Sequence, residues 1–443
     1  MGMYKFKNFL DLKFWDKYKV RNYLFYSGIF FLPSALSISA ILITISFILS
    51  NLNFKRNYLK DSWNIPFLLS SILMIISTIS HFLFISIAKD STWNPSLSLF
   101  GLFNWIPLFW VFWSAQSFLK NAEDRRKFAL ILLSGTLPII LTGILQYYFN
   151  VTGPFKLFNG FITWYQRPLS DISGMTGLFN NPNYMGSWLN IVWPFSIAGI
   201  LSRNKNKFST GIKIFFSISI AFCIILTNSR NAWGGLLTTI PLVVGIKSLI
   251  WLLPLFSILL LTIILTTFPS LQGNLQDNLR LLIPDKIWME FAEEGFSGMD
   301  LSRVGIWMYS LSFILSSPIL GLGAASFPAL LEMETNIWKG HTHNIFLEIA
   351  ISYGIPSAII LLFTIVLITV ISFKIIYFND KENYKNLYFE RAWWASFFIL
   401  LSSQSVDIQY FDGRISITFW ILLAGLKNII SDNIKLKYNV CKK

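Results

Sequence analysis

Residues 354–377 read GIPSAIILLFTIVLITVISFKIIY, an apolar run whose single charge, Lys374, lies near its end. A helix of this length crosses the roughly 30 Å of hydrocarbon in a bilayer. The whole chain has the same character, because 54% of its 443 residues are hydrophobic and only 13% are charged. This composition excludes an ordinary soluble protein and predicts a polytopic membrane protein.

Other apolar runs of similar length recur along the chain. We place their cores at 65–88, 99–118, 128–149, 185–201, 211–227, 231–246, 248–268, 391–406 and 413–430. Residues 22–50 are long for one helix and short for two, and Pro33 lies near their middle. One helix here gives about 11 crossings and a broken hairpin gives about 12. The first apolar run is expected to remain as a membrane helix, because no small-residue cleavage site follows it.

The distribution of basic residues decides between these two topologies. With the hairpin, 27 of the 36 Lys and Arg residues lie on the side of the N-terminus and 9 on the other side. Basic loops remain cytoplasmic. We therefore predict an all-α transmembrane bundle of about 12 helices, a single integral-membrane domain over residues 1–443, with both termini cytoplasmic. The net charge of +14 favours contact with anionic membrane lipids rather than with nucleic acid.

This topology leaves a large extracytoplasmic loop at residues 269–345. Within it, the segment from Arg303 to Leu315 is apolar and helix-spaced but too short to span a bilayer. Asp300 and Ser302 are capping candidates before it, and residues 316–323 break it with serines, a proline and glycines. The loop is thus expected to carry short helices on the membrane surface, with Arg303 in a first turn.

Three polar clusters precede helices that run inward from the outer face. Their members are Asn180, Asn181 and Asn183 in GLFNNPNYMGSW, Ser229 and Arg230 in TNSRNAWGG, and His341, His343 and Asn344 in HTHNIF. Each helix start has unpaired N–H groups and the positive end of the helix dipole. If these ends converge, they attract an anion. Arg230 and Arg303 favour a phosphate or diphosphate, because guanidinium groups bind phosphate through two hydrogen bonds.

The two neighbouring histidines suggest proton transfer. An unperturbed imidazole has a pKa of about 6.5 and can accept a proton from a hydroxyl group, so His343 is a candidate base and His341 is a second one. Either ring could instead only cap a helix. Asp407 and Arg414 flank the last outer turn, where an ion pair that includes Asp412 would fix the turn or support an acceptor. The chain has only two cysteines, and we expect no metal or other cofactor.

Four of these stretches, in this order, resemble the O-antigen ligase and polymerase superfamily: GLFNNPNYMGSW, NSRNAWGG, SRVGIWMYSL with PILGLGAASF, and WKGHTHNIFLEIAISYGIP. The resemblance covers about residues 175–427. It implies inverting, metal-independent transfer of a glycan from an undecaprenyl-diphosphate carrier to a hydroxyl of a glycolipid or glycan acceptor. The reaction would occur on the periplasmic side of the bacterial inner membrane. Arg230 and Arg303 would then bind the diphosphate and His343 would be the base.

Supporting roles are expected for His341, Asn180, Asn183, Ser229, Asn344, Asp407 and Arg414. The resemblance leaves ligase and polymerase open, and related sequences include candidate bicarbonate transporters. A transporter of bicarbonate or another small anion is therefore an alternative, and a non-catalytic scaffold is a third. Transporters usually carry ionisable groups near the bilayer midplane, whereas here the ionisable groups are predicted to cluster at the outer helix ends.

Overall fold

The computed structural model describes residues 17–53, 56–84, 93–170, 174–202, 207–267, 273–282, 303–378 and 386–441. Most of these residues are helical, and we number the α-helices in chain order. The helices before residue 150 are α1 Lys17–Phe31, α2 Leu36–Asn53, α3 Ile65–Phe84, α4 Ser96–Leu102, α5 Ile106–Ala115, α6 Ala122–Gly135 and α7 Leu137–Phe149. The helices after it are α8 Pro182–Leu201, α9 Lys207–Leu226, α10 Arg230–Val244, α11 Leu249–Thr267, α12 Asn274–Leu282, α13 Arg303–Ser316, α14 Phe327–Thr335, α15 Ile345–Tyr353, α16 Ile355–Phe378, α17 Leu387–Ser403 and α18 Gly413–Cys441.

Within the described residues, every apolar segment predicted from the sequence coincides largely with helix. Residues 22–50 form two helices, because α1 ends before Pro33 and α2 begins after it. Two other predicted segments are interrupted: 99–118 divides between α4 and α5, and 128–149 divides between α6 and α7. Proline at the second position of α5 and of α7 suits a new helix start, where no partner for its missing N–H is needed.

Six stretches of the described chain are long and apolar enough to cross a membrane. They are Ser62–Leu83, Ser96–Phe118, Ala122–Phe149, Phe208–Leu226, Ile355–Phe378 and Gly413–Ile434. The protein is accordingly a multi-pass, mostly helical membrane protein. The number of about 12 crossings remains a prediction, because several other helices in the described part are shorter than a full span.

The centre of the bundle is formed by α8, α10 and α17, which pack against one another. Gly186 lets α8 approach α10 closely, since a Cβ there would lie 2.6 Å from the Cβ of Ala232. Gly235 of α10, one turn after Ala232, has the same effect: a Cβ there would lie 2.3 Å from the side-chain nitrogen of Asn190 in α8. That nitrogen donates to the Ala232 carbonyl at 3.1 Å. These contacts hold the N-terminal ends of α8 and α10 side by side.

A short β-hairpin is an exception to the all-α prediction. Strands β1 Phe155–Leu157 and β2 Ile162–Trp164 pair antiparallel between α7 and α8. The indole of Trp164 donates to the Ser34 carbonyl at 2.7 Å, and the Ser37 hydroxyl donates to the Phe161 carbonyl at 2.7 Å. The hairpin therefore covers the turn between α1 and α2.

The second half of the predicted outer loop contains α13 and α14, joined by a turn that packs on α15. The N–H of Leu322 donates to the Ile351 carbonyl at 2.6 Å. Gly354 connects α15 to α16 with a φ of +86°, and a Cβ there would lie 1.9 Å from the Ile319 carbonyl oxygen. Only glycine meets both demands. The predicted caps Asp300 and Ser302 lie outside the described residues.

At the opposite ends of the helices, charged side chains are buried in pairs. Arg125, at the start of α6, binds Glu390 at 2.9 Å and Asp432 at 3.1 Å. The Lys427 ammonium contacts Asp61 at 2.5 Å. The expectation that ionisable groups cluster at the outer helix ends was therefore incomplete, because paired charges also join helices at their other ends.

Candidate active site

The histidine segment is fixed by the start of α15. Asn344 is the N-cap residue, and its side-chain oxygen accepts from the N–H groups of Phe346 at 3.0 Å and Leu347 at 3.3 Å. The N–H of Thr342 donates to a carboxylate oxygen of Glu348 at 3.0 Å. Burial raises the pKa of the Glu348 carboxyl, although the Thr342 hydrogen bond and the His343 charge oppose the rise. Thr342 and Asn344, on either side of His343, are thus both hydrogen-bonded to the first turn of α15.

His343 has a backbone conformation that few side chains tolerate. Its φ is +55°, in the left-handed region, and functional sites often contain such strained residues. This conformation brings the Nδ1 atom of His343 to 2.9 Å from Oδ1 of Asp407. The two residues lie 64 positions apart in the chain. Asp407 is only 6% exposed, so the carboxylate is almost entirely removed from water.

Asp407 joins members of two of the predicted polar clusters, His343 and Asn183. Its second oxygen accepts from the side-chain nitrogen of Asn183, in α8, at 2.9 Å. It also accepts from Nε2 of Gln409 at 2.8 Å. The side-chain oxygen of Gln409 accepts from the Ser403 hydroxyl at 2.8 Å. That hydroxyl in turn accepts from the side-chain nitrogen of Asn231, in α10, at 2.7 Å. One hydrogen-bonded network therefore links the starts of α8, α10 and α15.

The charge state of Asp407 follows from these partners. Burial alone would raise the pKa of its carboxyl group, but the hydrogen bond from His343 opposes this effect. The positive charge of Arg303, and those of His343 and His341 when they are protonated, act in the same direction, and the net pKa lies below the usual value. Asp407 is therefore ionised at neutral pH. An ionised carboxylate only accepts hydrogen bonds, so Nδ1 of His343 carries the hydrogen and Nε2 of the neutral ring has a free lone pair.

His341 is in a different state from His343. Burial, together with the nearby charge of His343, lowers the pKa of His341 to about 4, although Asp407 acts in the opposite direction. Its Nδ1 accepts from the backbone N–H of His343 at 3.1 Å. A neutral ring with Nδ1 as acceptor carries its hydrogen on Nε2. His341 is consequently a hydrogen-bond donor at neutral pH, and this favours His343 over His341 as the base.

Both predicted arginines occupy first helical positions near this network. Arg303 is the first residue of α13, and its charge contributes to the low pKa of Asp407. Arg230 is the first residue of α10, is exposed, and directly precedes Asn231 of the network. Ser229 is the N-cap of α10, where its hydroxyl accepts from Ala232 at 3.4 Å. The structure thus brings Arg303 within electrostatic reach of Asp407 and places Arg230 beside the network.

Asn180 and Arg414 line a cavity next to the network, and Arg414 pairs with Asp412. The guanidinium of Arg414 binds the Asp412 carboxylate through two hydrogen bonds of 2.9 and 2.6 Å. The expected ion pair in the last outer turn is therefore formed by Asp412 and Arg414, whereas Asp407 faces His343. Asn180 and Arg414 both line a neighbouring cavity, together with Tyr184.

Sequence reasoning missed several members of the network. Gln409 and Ser403 were not singled out, although Gln409 lies two positions from Asp407 in SVDIQYFD. Asn231 follows Arg230 directly, and its amide was a signal that went unused. Ligand atoms of His341, His343 and Asp407 lie within 4.8 Å of one another and form a group that could hold a metal ion. The short contacts within this group are also satisfied by the hydrogen bonds described above.

The chain is thus a multi-pass integral-membrane protein in which a buried, ionised aspartate is hydrogen-bonded to a histidine where helix ends converge. Residues 215–363 match the family model described as O-Antigen ligase. The match confirms the resemblance to the O-antigen ligase superfamily over this part of the chain, which contains Arg230, Arg303, His341 and His343. A search of curated proteins finds no match. Asp407, Asn183 and Asn180 lie outside the matched residues.

Proposed function

We propose that this protein transfers a glycan from an undecaprenyl-diphosphate carrier to a hydroxyl group of a glycolipid or glycan acceptor. The observation that carries the proposal is the hydrogen bond between His343 and the ionised Asp407, at the convergence of three helix starts. The family match supports a membrane enzyme of the O-antigen ligase and polymerase type. The basic loops support an inner-membrane topology with cytoplasmic termini, in which this centre faces the periplasm.

In the proposed reaction, Nε2 of His343 removes the proton from the acceptor hydroxyl. The acceptor oxygen then forms a bond to the anomeric carbon, while the bond from that carbon to the diphosphate oxygen breaks. The electron pair leaves with the polyprenyl diphosphate. Direct attack opposite the leaving group inverts the anomeric carbon. Asp407 holds the ring in the required tautomer and stabilises the imidazolium that forms.

Negative charge grows on the diphosphate as its bond to the sugar breaks, and nearby positive charge would stabilise it. Arg230 and Arg303 are the proposed ligands, because a guanidinium group donates two parallel hydrogen bonds to phosphate oxygens. The N-terminal ends of α8 and α10 add the positive ends of two helix dipoles nearby. Such fixed donors stabilise charge in the transition state without reorganisation. His341, through its Nε2 hydrogen, would be a further donor.

The test is transfer by the purified protein from a polyprenyl-diphosphate-linked glycan to a panel of acceptors. We expect wild-type transfer, and loss of at least about a hundredfold in rate for His343→Ala and for Arg303→Ala. The control is Arg126→Ala, a half-buried arginine that pairs with Glu123 at the other end of the bundle. Thermal unfolding in detergent checks that each variant is folded.

The acceptor that works separates a ligase, which uses a different molecule, from a polymerase, which uses another copy of the glycan. Absence of transfer with a competent donor would contradict the proposal. Bicarbonate or other small-anion flux in proteoliposomes that persists in His343→Ala would instead support a transporter.

A further inference from the structure

A cavity of about 380 Å³ opens beside the candidate active site. Four segments form it: the turn between α1 and α2, the β-hairpin, the start of α8 and the turn before α18. The volume lies in the range of small-molecule sites, which extend from about 300 to 1,000 Å³. The cavity is therefore large enough for one or two sugar rings.

The chemistry of the walls favours a neutral, hydroxyl-rich ligand. Asp412 and Arg414 neutralise each other through their two hydrogen bonds, so their pair offers both acceptors and donors without net charge. Asn180 adds an amide and Thr163 adds a hydroxyl. Phosphate would find no uncompensated cation among the lining residues.

Aromatic side chains supply the apolar part of the walls. The rings of Phe161, Tyr165 and Phe411 line the cavity and are each 40% to 47% exposed. A ligand site typically combines such rings with a few convergent polar groups. Sugars have both apolar C–H faces and hydroxyl edges, and this combination matches them.

The cavity and the His343 centre are neighbours. Tyr184 lines the cavity and follows Asn183, which donates to Asp407. Burial, with the negative charges of Asp412 and Asp407, raises the pKa of Tyr184 to about 12. The Tyr184 hydroxyl therefore remains a donor at neutral pH, and it lies within electrostatic reach of both carboxylates.

The cavity is separate from the proposed diphosphate ligands. None of its lining residues belongs to α10 or α13, the helices that begin with Arg230 and Arg303. None lies in residues 215–363, the part that matches the family. Residues that perform the shared chemistry and residues that line the cavity thus occupy different parts of the chain, as expected if the cavity selects one substrate.

We propose that this cavity binds a neutral sugar residue of the acceptor and presents its hydroxyl to His343. The proposal rests on the proposed transfer function and names the site of its second substrate. The sugar would stack on the aromatic rings and hydrogen-bond to the Asp412 and Arg414 pair, to Asn180 and to Tyr184.

The test fills the cavity without changing the catalytic centre. Asn180→Trp and, separately, Thr163→Trp place an indole in the space. The matched control, Leu157→Trp, lies on the same β-hairpin at a residue that does not line the cavity. We expect both cavity variants to raise the KM for the acceptor at least about tenfold, with the KM for the donor unchanged. An unchanged acceptor KM in both folded variants, or a change in donor KM alone, would overturn the proposal.

A binding measurement separates failure of this proposal from failure of the proposed function. Saturation-transfer NMR with the acceptor glycan alone reports contact with the protein without any reaction. Signal from wild type that disappears in Asn180→Trp would support the cavity as a sugar site even if no transfer occurs. Equal signals from wild type and both cavity variants would refute it, whatever the transfer assay shows.

Discussion

Asp407→Asn should abolish transfer by changing the tautomer of His343 while leaving the fold intact. In the wild type, one Asp407 oxygen accepts from His343 Nδ1 at 2.9 Å, and the other accepts from Asn183 at 2.9 Å and Gln409 at 2.8 Å. An asparagine has only one acceptor oxygen. Its amide nitrogen must face either His343 or the two amide donors.

The two orientations differ in cost. If the new oxygen faces His343, the new NH2 group meets the NH2 groups of Asn183 and Gln409, leaving at least two buried donors unsatisfied. Each costs about 1 to 3 kcal/mol, so this orientation costs about 2 to 6 kcal/mol. Gln409 cannot rotate to relieve the conflict, because its oxygen already accepts from Ser403 and Gln404. The oxygen is therefore expected to face the two amides.

In that orientation the NH2 group points at Nδ1 of His343, which must become an acceptor. The hydrogen of the neutral ring then moves to Nε2. This nitrogen no longer has the lone pair that removes the proton from the hydroxyl of the acceptor substrate. Loss of a general base lowers kcat by about 10² to 10⁴. The assay is steady-state transfer in detergent, with Asp277→Asn, an exposed acid on α12, as the control. A kcat within tenfold of wild type, or ¹⁵N NMR showing hydrogen still on Nδ1 of His343, would refute the reasoning.

Three further predictions concern stability. The pKa of His341 is about 4 in the folded protein and about 6.5 in an unfolded chain, so between these pH values the unfolded state binds more protons. The stability present at pH 7.5 should therefore fall by up to about 2 kcal/mol at pH 5. Thermal unfolding of His341→Gln should show a smaller difference between the two pH values. Gly354→Ala should lower stability by at least about 2 kcal/mol, because of its positive φ and the Ile319 carbonyl, whereas Gly234→Ala, in open space within α10, should not lower the melting temperature. Glu390→Gln should cost about 1 to 3 kcal/mol, because Arg125 loses its most buried carboxylate partner and keeps Asp432, and an unchanged melting temperature would show that the pair is not needed.

Much of the fold could be predicted from the sequence, because length and apolarity are local properties. The helices coincide with the apolar runs, and one member of each predicted polar cluster, Asn181, Ser229 and Asn344, caps a helix in the structure. A cap depends only on a side chain and the next few N–H groups, so it is visible in a short stretch of sequence.

The β-hairpin was missed although its signal was present. Residues 155–164 read FKLFNGFITW, in which Asn159 and Gly160 separate two short alternating stretches, and an Asn-Gly pair of this kind is a strong hairpin signal. The strands are only three residues each, too short to stand out among the apolar runs of this chain. The partner of His343 could not be found locally, since Asp407 lies 64 residues away. Their pairing depends on how α8, α15 and α17 pack.

In the proposed reaction, the positive charge of Arg303 acts on both the Asp407–His343 pair and the diphosphate of the donor. Without donor, the Arg303 charge helps to keep the pKa of Asp407 low, so the carboxylate is ionised and His343 is held with Nε2 available. When a diphosphate binds nearby, its negative charge offsets that positive field and stabilises the imidazolium that forms as His343 takes a proton. On this argument, the Arg303 charge connects diphosphate binding to the Asp407–His343 pair, and the donor should bind before the acceptor reacts.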